Sequence, residues 1–148
     1  MRAISIHQPY ATLIAIGQKL HETRHWPTTY QGPIAIHATK NLASIKLIIR
    51  MLYEMPNDQL ALALKDAFGT ANARGTIEKL QSLPTGVIVC TARITGCWHA
   101  ESLKPSFKDR MFGEWGYGCF AWRMEDVKPL PRPIPATGKQ GFWDWTQG

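Results

Sequence analysis

RAISIHQPYATLIAIGQKLHETRHW, residues 2–26, holds in order a short apolar strand, one amphipathic helix and an extended polar segment. Arg2 to Ile6 reads as the strand. Pro9 then suits the first position of a helix, because its fixed φ is helical and its missing N–H costs nothing there. Leu13, Ile14 and Ile16 supply an apolar stripe, and Gly17 is suited to the left-handed residue just past the helix end. Gln18 to Trp26 reads as extended, and Pro27 stops it.

Outward from this stretch, Gly32-Pro33 turns the chain into Ile34–Ala38, a buried strand by its β-branched content. The middle changes period. Asn41 can cap a helix carrying Leu42, Ile45, Ile48, Ile49 and Leu52. Pro56-Asn57-Asp58 breaks it, and a second helix follows with Leu60, Leu64, Ala67 and Phe68 before Gly69. Ile77, Leu80 and Leu83 predict a further helical turn or two before Pro84. These helices cannot bury both faces alone, so they are expected to pack on a sheet.

From Gly86 the pattern is β again, with Val87–Ala92 a strand, Gly96 a bulge or bend, and Gly118–Trp122 another strand. Residues 99–116 read as an irregular connection. Pro129, Pro131, Pro133 and Pro135 cannot donate to a central ladder and are assigned to an edge. The expected fold is α+β: a small, partly open β-barrel with flanking helices, in one domain over 1–148, with a helical insertion at about 41–83.

Composition narrows the class. The 148 residues are 45% hydrophobic and 19% charged and include six Trp, which excludes a disordered chain. No repeat period is present. Cys90, Cys97 and Cys119 are an odd number without a Cys-x-x-Cys pair, so neither a disulfide framework nor a zinc knuckle is expected. No apolar run suffices for a membrane span, and His7, Gln8 and Pro9 interrupt any signal-peptide core. The expectation is a soluble, cytoplasmic protein with no membrane partner.

The net charge of +6 is unevenly spread. Arg2, Lys19, Arg24, Lys40, Lys46 and Arg50 face Glu22 alone in the first 50 residues, whereas the remainder is nearly balanced. A localised basic excess is the footprint of a polyanion-binding face. A solvated basic surface is the competing reading, and charge alone leaves both open.

His21-Glu22-Thr23-Arg24-His25 matches His-Glu-x-x-His letter for letter. That metalloprotease chemistry needs a helix, so that two imidazoles four residues apart face one zinc. Here Gly17 closes the preceding helix and Pro27 follows, so a helix is not expected. No metal and no cofactor are expected.

Three segments carry a more specific resemblance. Ser5–Ala11 (Ser-Ile-His-Gln-Pro-Tyr-Ala) is followed by Gly17–Trp26 with its Gly-x-Lys-x-x-Glu-x-Arg run. Tyr30–Ala38 comes next, and Pro133–Trp143 closes the pattern. Together they resemble an ASCH domain, named for homology to an activating signal cointegrator and related to the PUA-like RNA-binding barrels. The resemblance implies a barrel whose cleft lies between the first helix, the lysine-bearing segment and the closing strands. It also implies recognition of RNA or single-stranded nucleic acid. Some similar proteins are small hydrolases, among them an amidohydrolase for an acylated cytidine nucleoside, and ribonucleases. In the amidohydrolase pattern the lysine matching Lys19 pairs with a Thr three residues on and a later Glu. Here Glu22 stands at the Thr position, and Glu78, Glu101 and Glu114 all remain open as the later acid.

Within that frame Lys19 and Glu22 are the catalytic candidates. Lys19 beside Arg24 would feel like charge and partial desolvation, both of which lower its pKa toward a useful base. The alternatives are a solvated lysine or one paired with Glu22. Glu22 could orient Lys19, accept a proton or neutralise Arg24. For nucleic-acid binding the candidates are Ser5, Gln8, Tyr10, Lys19, Arg24, Trp26 and Lys139. Arg24 offers a planar fork for phosphate, and Tyr10 and Trp26 offer stacking faces or barrel packing. Ser5 and Gln8 would line the floor, and Lys139-Gln140 sits in a glycine-flanked loop where backbone N–H groups can approach an anion. His37 reads as a hydrogen-bonded core histidine. Trp98, Trp122, Trp143 and Trp145 read as packing, and Cys90 and Cys119 as inert buried thiols.

Three functions follow as expectations. The first is binding of RNA, single-stranded nucleic acid or a modified nucleoside in a basic cleft. The second is a metal-independent hydrolase using Lys19. The third is a protein-interaction module working through the helical middle.

Overall fold

Six strands and five helices form the computed structural model, which describes residues 1–146. The last two residues of the 1–148 span lie outside the described residues. In chain order the elements are β1 (Arg2–Ile6), α1 (Tyr10–Ala15), β2 (His21–Arg24), β3 (Gly32–Ala38), α2 (Ala43–Glu54), α3 (Gln59–Phe68) and α4 (Ala73–Ser82). Then come β4 (Val87–His99), a 3₁₀ turn at Ala100–Ser102, α5 (Phe107–Met111), β5 (Phe120–Pro135) and β6 (Phe142–Asp144). The strands make one sheet in the order β2-β5-β4-β3-β1-β6, curled into a half-barrel. Only β1 and β3 run parallel; every other pair is antiparallel.

The curl has a local cause. β4 and β5 are 13 and 16 residues long and their pairing slips at Ile88/Cys90, Thr91/Arg93 and Ile94/Gly96. Each slip adds twist and bends the ribbon. At the last of these Gly96 leaves room for the Trp98 ring, which would have to move if a Cβ stood there, 2.3 Å from it. Trp98 itself is 44% exposed, so it is a surface ring over the bulge rather than the packing residue expected. Pro129 to Pro135 do lie on an open flank. β5 as a whole is an inner strand, but β2 pairs only with Phe120–Arg123 and leaves the proline half bonded to β4 alone.

Burial follows the strand period. Ile4, Ile36, Ile94, Trp122 and Met124 meet α1 on one face of the sheet, while Ala3, Ala35, Ile88, Trp143 and Trp145 close the other. β1 and β3 are therefore covered on both faces. The helical stretch behaves differently from the expectation. α2, α3 and α4 bury Ile48, Leu52, Leu64, Ile77 and Leu80 in a cluster of their own, joined to the rest through Leu13 of α1 and through Phe112. They do not lie directly on the sheet. Asn41 accepts the Ala43 N–H at 2.8 Å, and Leu42 takes the cap position and stays exposed. Among the described residues no helix is long and apolar enough to cross a membrane.

Trp122 and Leu64 are both fully buried, one in each large cluster. Trp122→Ala is expected to cost about 3–5 kcal/mol and Leu64→Ala about 2–5 kcal/mol in chemical denaturation. If 1–148 is one domain, tryptophan fluorescence and far-ultraviolet circular dichroism follow a single coincident transition in both variants.

Candidate functional site

The end of α1 places the lysine. Gly17 takes φ +78°, and the N–H groups of Gln18 and Lys19 both donate to the Leu13 carbonyl, at 2.9 and 3.0 Å. That tight turn drives the Lys19 side chain inward, where the residue is only 2% exposed. Its Nζ donates to the Phe112 carbonyl and lies 3.7 Å from Glu22 Oε1. It also stands 5.7 Å from the centre of the Tyr10 ring. The solvated-lysine alternative is thereby removed. Burial pulls the Lys19 pKa below its ordinary 10.5, against the opposing pull of Glu22 and Asp109.

Period-two geometry on β2 puts Glu22 and Arg24 on one face and His21 and Thr23 on the other. Glu22 Oε2 accepts from Arg24 Nε at 3.1 Å, and Arg24 Nη2 donates to the Ser5 carbonyl at 2.7 Å. Two of the three guanidinium nitrogens are thus committed, and Arg24 is held rigid against β1. Glu22 bridges both cations, so it does two of the jobs left open for it.

His21 faces the opposite way. Its Nδ1 lies 2.7 Å from Asp109 Oδ2, and Asp109 Oδ1 accepts the Leu20 N–H at 2.6 Å. Burial would raise the Asp109 pKa, but the hydrogen bonds from His21 and Leu20 and the charge of Lys19 hold it below the ordinary 3.8. His21 and His25 therefore have different partners. On a strand, residues four apart are separated by about 13 Å, and the His-Glu-x-x-His match has no common metal position.

A cavity of about 540 Å³ opens over this group, lined among others by Tyr10, Lys19, Glu22, Arg24, Trp26 and Glu114. A second, of about 810 Å³, adjoins it and is lined by Lys40, Gly138, Lys139 and Gln140. Ser5, His7, Arg24 and Trp26 border both. Trp26 is 36% exposed and stands edge-on to Trp122 and Phe142 at 4.6 and 5.6 Å, which fixes its ring at the junction. Beneath the second cavity His37 binds Ser5 Oγ at 3.1 Å and the Ala136 carbonyl at 2.9 Å. It is a core histidine, and burial lowers its pKa.

Most of the nucleic-acid candidates thus meet at one cleft: Ser5, Tyr10, Lys19, Arg24, Trp26 and Lys139. Gln8 does not. It is fully buried, its Nε2 donating to Thr12 Oγ1 and the Pro84 carbonyl and its Oε1 accepting the Thr12 N–H, so it braces α1 and lines neither cavity. Of the three acids left open, Glu114 borders the cleft, and Glu78 and Glu101 border neither cavity.

The connection at 99–116 supplies what sequence reasoning missed. α5 carries Asp109, and the turn after it brings the Phe112 carbonyl, Gly113 and Glu114 to the cleft. A Cβ on Gly113 would stand 2.9 Å from Thr23 Oγ1 and 3.2 Å from Lys19 Nζ, so this position needs glycine for close approach. One signal was available: Ser106 Oγ accepts the Asp109 N–H, the Ser-x-x-Asp pattern of a helix start. Cys90 is the inert thiol expected, its pKa pushed up to about 12 by burial.

The family model for the ASCH domain matches residues 4–131. Among solved structures, the crystal structure of ASCH from Zymomonas mobilis is 14% identical with a TM-score of 0.53, covering 99% of this chain and 87% of that one. A serine-to-alanine variant of the Zymomonas mobilis protein gives 15% identity and a TM-score of 0.52, over 99% of this chain and 88% of that one. A tyrosine-to-phenylalanine variant gives 14% and 0.52, over 99% and 90%. These likenesses speak to the fold. No curated protein sequence matches the chain significantly.

Asp109 is 2% exposed and its carboxylate is fully engaged. Asp109→Asn is expected to cost about 1.5–3 kcal/mol, the range for hydrogen bonds to a charged group. Because the folded pKa lies below the unfolded one, the stabilisation is complete above 3.8 and is lost as pH falls through the folded value. Denaturation against pH should therefore show an acid limb in the wild type that is shallower in Asp109→Asn.

Proposed function

The chain belongs to the ASCH domain family, and on that premise we propose that the double cleft binds single-stranded nucleic acid, RNA foremost, with one nucleotide seated at the Trp26–Arg24 junction. The observation that carries this reading is the division of labour between the two cavities. The first balances Lys19 and Arg24 against Glu22 and Glu114, whereas the second presents Lys40 and Lys139 with no carboxylate among the described residues that line it. A base needs an apolar face and hydrogen-bonding partners, and a phosphate needs uncompensated cations. The first cavity has the size of an ordinary small-ligand site, roughly 300–1,000 Å³. Trp26 and Tyr10 supply ring faces for stacking. Lys40 and Lys139 supply the uncompensated cations for the phosphates beside it, and Arg24, paired with Glu22, adds its remaining guanidinium nitrogen at the junction. A free modified nucleoside meets the same chemistry in the first cavity without the phosphate term.

A second reading is favoured by one specific observation: Lys19 is almost wholly desolvated and its pKa is lowered. Neutral Lys19 would accept a proton from a water attacking an amide carbon or a phosphorus, while Glu22 fixes the amine. This makes the cleft that of a hydrolase needing no metal for the step.

Fluorescence anisotropy with a short labelled RNA separates these readings. Three phosphate contacts give a slope of about −2 in log affinity against log salt, at roughly −0.7 each, and Lys40→Ala or Lys139→Ala should each remove about 0.7 of it. Trp26→Ala should weaken binding by about 1–3 kcal/mol. A salt-independent affinity would contradict phosphate contact. If Lys19 acts as the base, Lys19→Arg keeps binding but loses turnover by about 10²–10⁴-fold, as Lys19→Ala does.

A further inference from the structure

Outside the lysine cluster, His25 and Glu114 on the rim of the first cavity meet the buried Cys119, three residues of mixed donor chemistry. His25, Glu114 and Cys119 each offer one ligand atom, and these atoms lie within 4.8 Å of one another. From this arrangement we infer a Zn²⁺ site at the cleft mouth, made by an imidazole nitrogen of His25, a carboxylate oxygen of Glu114 and the Cys119 thiolate, with one coordination position left for water. It departs from the metal-free expectation of the sequence and uses only one histidine of the His-Glu-x-x-His match.

The backbone prepares the three donors. Arg24 pairs with Phe120 in the β2–β5 ladder, so the residues just beyond, His25 and Cys119, emerge opposite each other. The positive φ of Gly118 and the bond from the Cys119 N–H to the Gly116 carbonyl set the turn that holds the cysteine. Glu114 is tied to the same strand from the other side, its N–H donating to Thr23 Oγ1 at 2.8 Å. Register and one side-chain hydrogen bond, rather than chance rotamers, gather these groups.

The distances agree with the metal. Zinc takes sulfur at about 2.3 Å and nitrogen at about 2.0–2.1 Å in a tetrahedral arrangement, which makes a nitrogen–sulfur edge of about 3.6 Å. Cys119 Sγ and His25 Nδ1 stand 3.7 Å apart. The Glu114 carboxylate now lies against the other ring nitrogen, 3.0 Å from His25 Nε2, and being mostly exposed it is free to swing to the Nδ1 side and close the site there. Cys119 is buried while His25 and Glu114 are exposed, so the sulfur forms the floor and the entry path lies through the two exposed ligands. Three protein ligands of this kind leave an open position, as in zinc sites that bind water or substrate. Thiolate is the donor that separates Zn²⁺ from Mg²⁺ or Ca²⁺, which prefer oxygen sets.

Cobalt(II) is the probe, titrated into the full chain under reducing conditions. The expected result is one equivalent of four-coordinate Co²⁺, seen as a thiolate-to-cobalt band in the near ultraviolet and displaced by Zn²⁺. The band should vanish in Cys119→Ser, and affinity should fall at least tenfold in His25→Ala. His25 is exposed, so its variant tests the site even if the buried Cys119→Ser were to unfold by circular dichroism. Absence of the thiolate band in the wild type would overturn the inference. So would its survival in a folded Cys119→Ser, or unchanged affinity in His25→Ala.

Discussion

The ammonium of Lys19, taken out of water at the base of the cleft, is the constraint on which the surrounding structure depends. A buried cation is tolerated only when paired and hydrogen-bonded. Here the Phe112 carbonyl and the Glu22 carboxylate meet that need. Each partner then makes its own demand. Glu22 must sit on a strand whose register turns Arg24 to the same side, and the Phe112 carbonyl must be delivered by a loop with glycine next in line. Removing one member of such a group leaves an uncompensated buried charge, a loss of about 3–5 kcal/mol. Apolar residues of similar volume would often stabilise as well or better. Stability therefore does not explain why the lysine is there, whereas a reactive or anion-seeking amine at a cavity wall does.

Two clusters meet at this point and explain its rigidity. Leu13 belongs to the helical core, Ile14 to the barrel core, and the turn that follows them carries Lys19. Phe112 is fully buried among the helices while its carbonyl receives the ammonium. The helices at 43–82 thus support the site from behind through Leu13 and Phe112, and only Ser44 of α2 reaches its rim. Fold likeness at 14% identity speaks to the fold and says nothing of what the cleft does. Function has to be argued from the site, and the separation of a charge-balanced chamber from a cationic one is what favours a nucleotide over a small neutral molecule.

Much of this was legible in local chemistry. β1, α1, β3 and the three helices of the middle carry strong periodic patterns, and Gly17 and Gly69 stand where a left-handed turn requires them and Gly96 at a bulge. The resemblance centred on Gly17–Trp26 located Lys19, Glu22 and Arg24 together. What stayed hidden depends on contacts distant in sequence. Asp109 and Phe112 lie some 90 residues from their partners in a stretch without periodicity, and nothing local set Glu114 apart from Glu78 and Glu101. Gln8 reads as a polar residue fit for a cleft, yet it is consumed by Thr12 and Pro84. β6 is three residues long, too short for any alternation to show, although it closes the sheet beside β1. Trp98 looks like core until the bulge at Gly96 turns it outward.

The claim that the Lys19 cleft is the working surface is tested most directly by nuclear magnetic resonance of side-chain signals during titration with a short single-stranded RNA. The account predicts that Arg24 Nε, the Trp26 indole and the Lys19 Nζ resonances shift together and saturate at one ligand per chain, with Lys139 following. It predicts that the exposed apolar side chains Leu47, Tyr53 and Met55 on and after α2 stay unmoved. Shifts confined to that helical face, with Lys19, Arg24 and Trp26 unchanged, would contradict it.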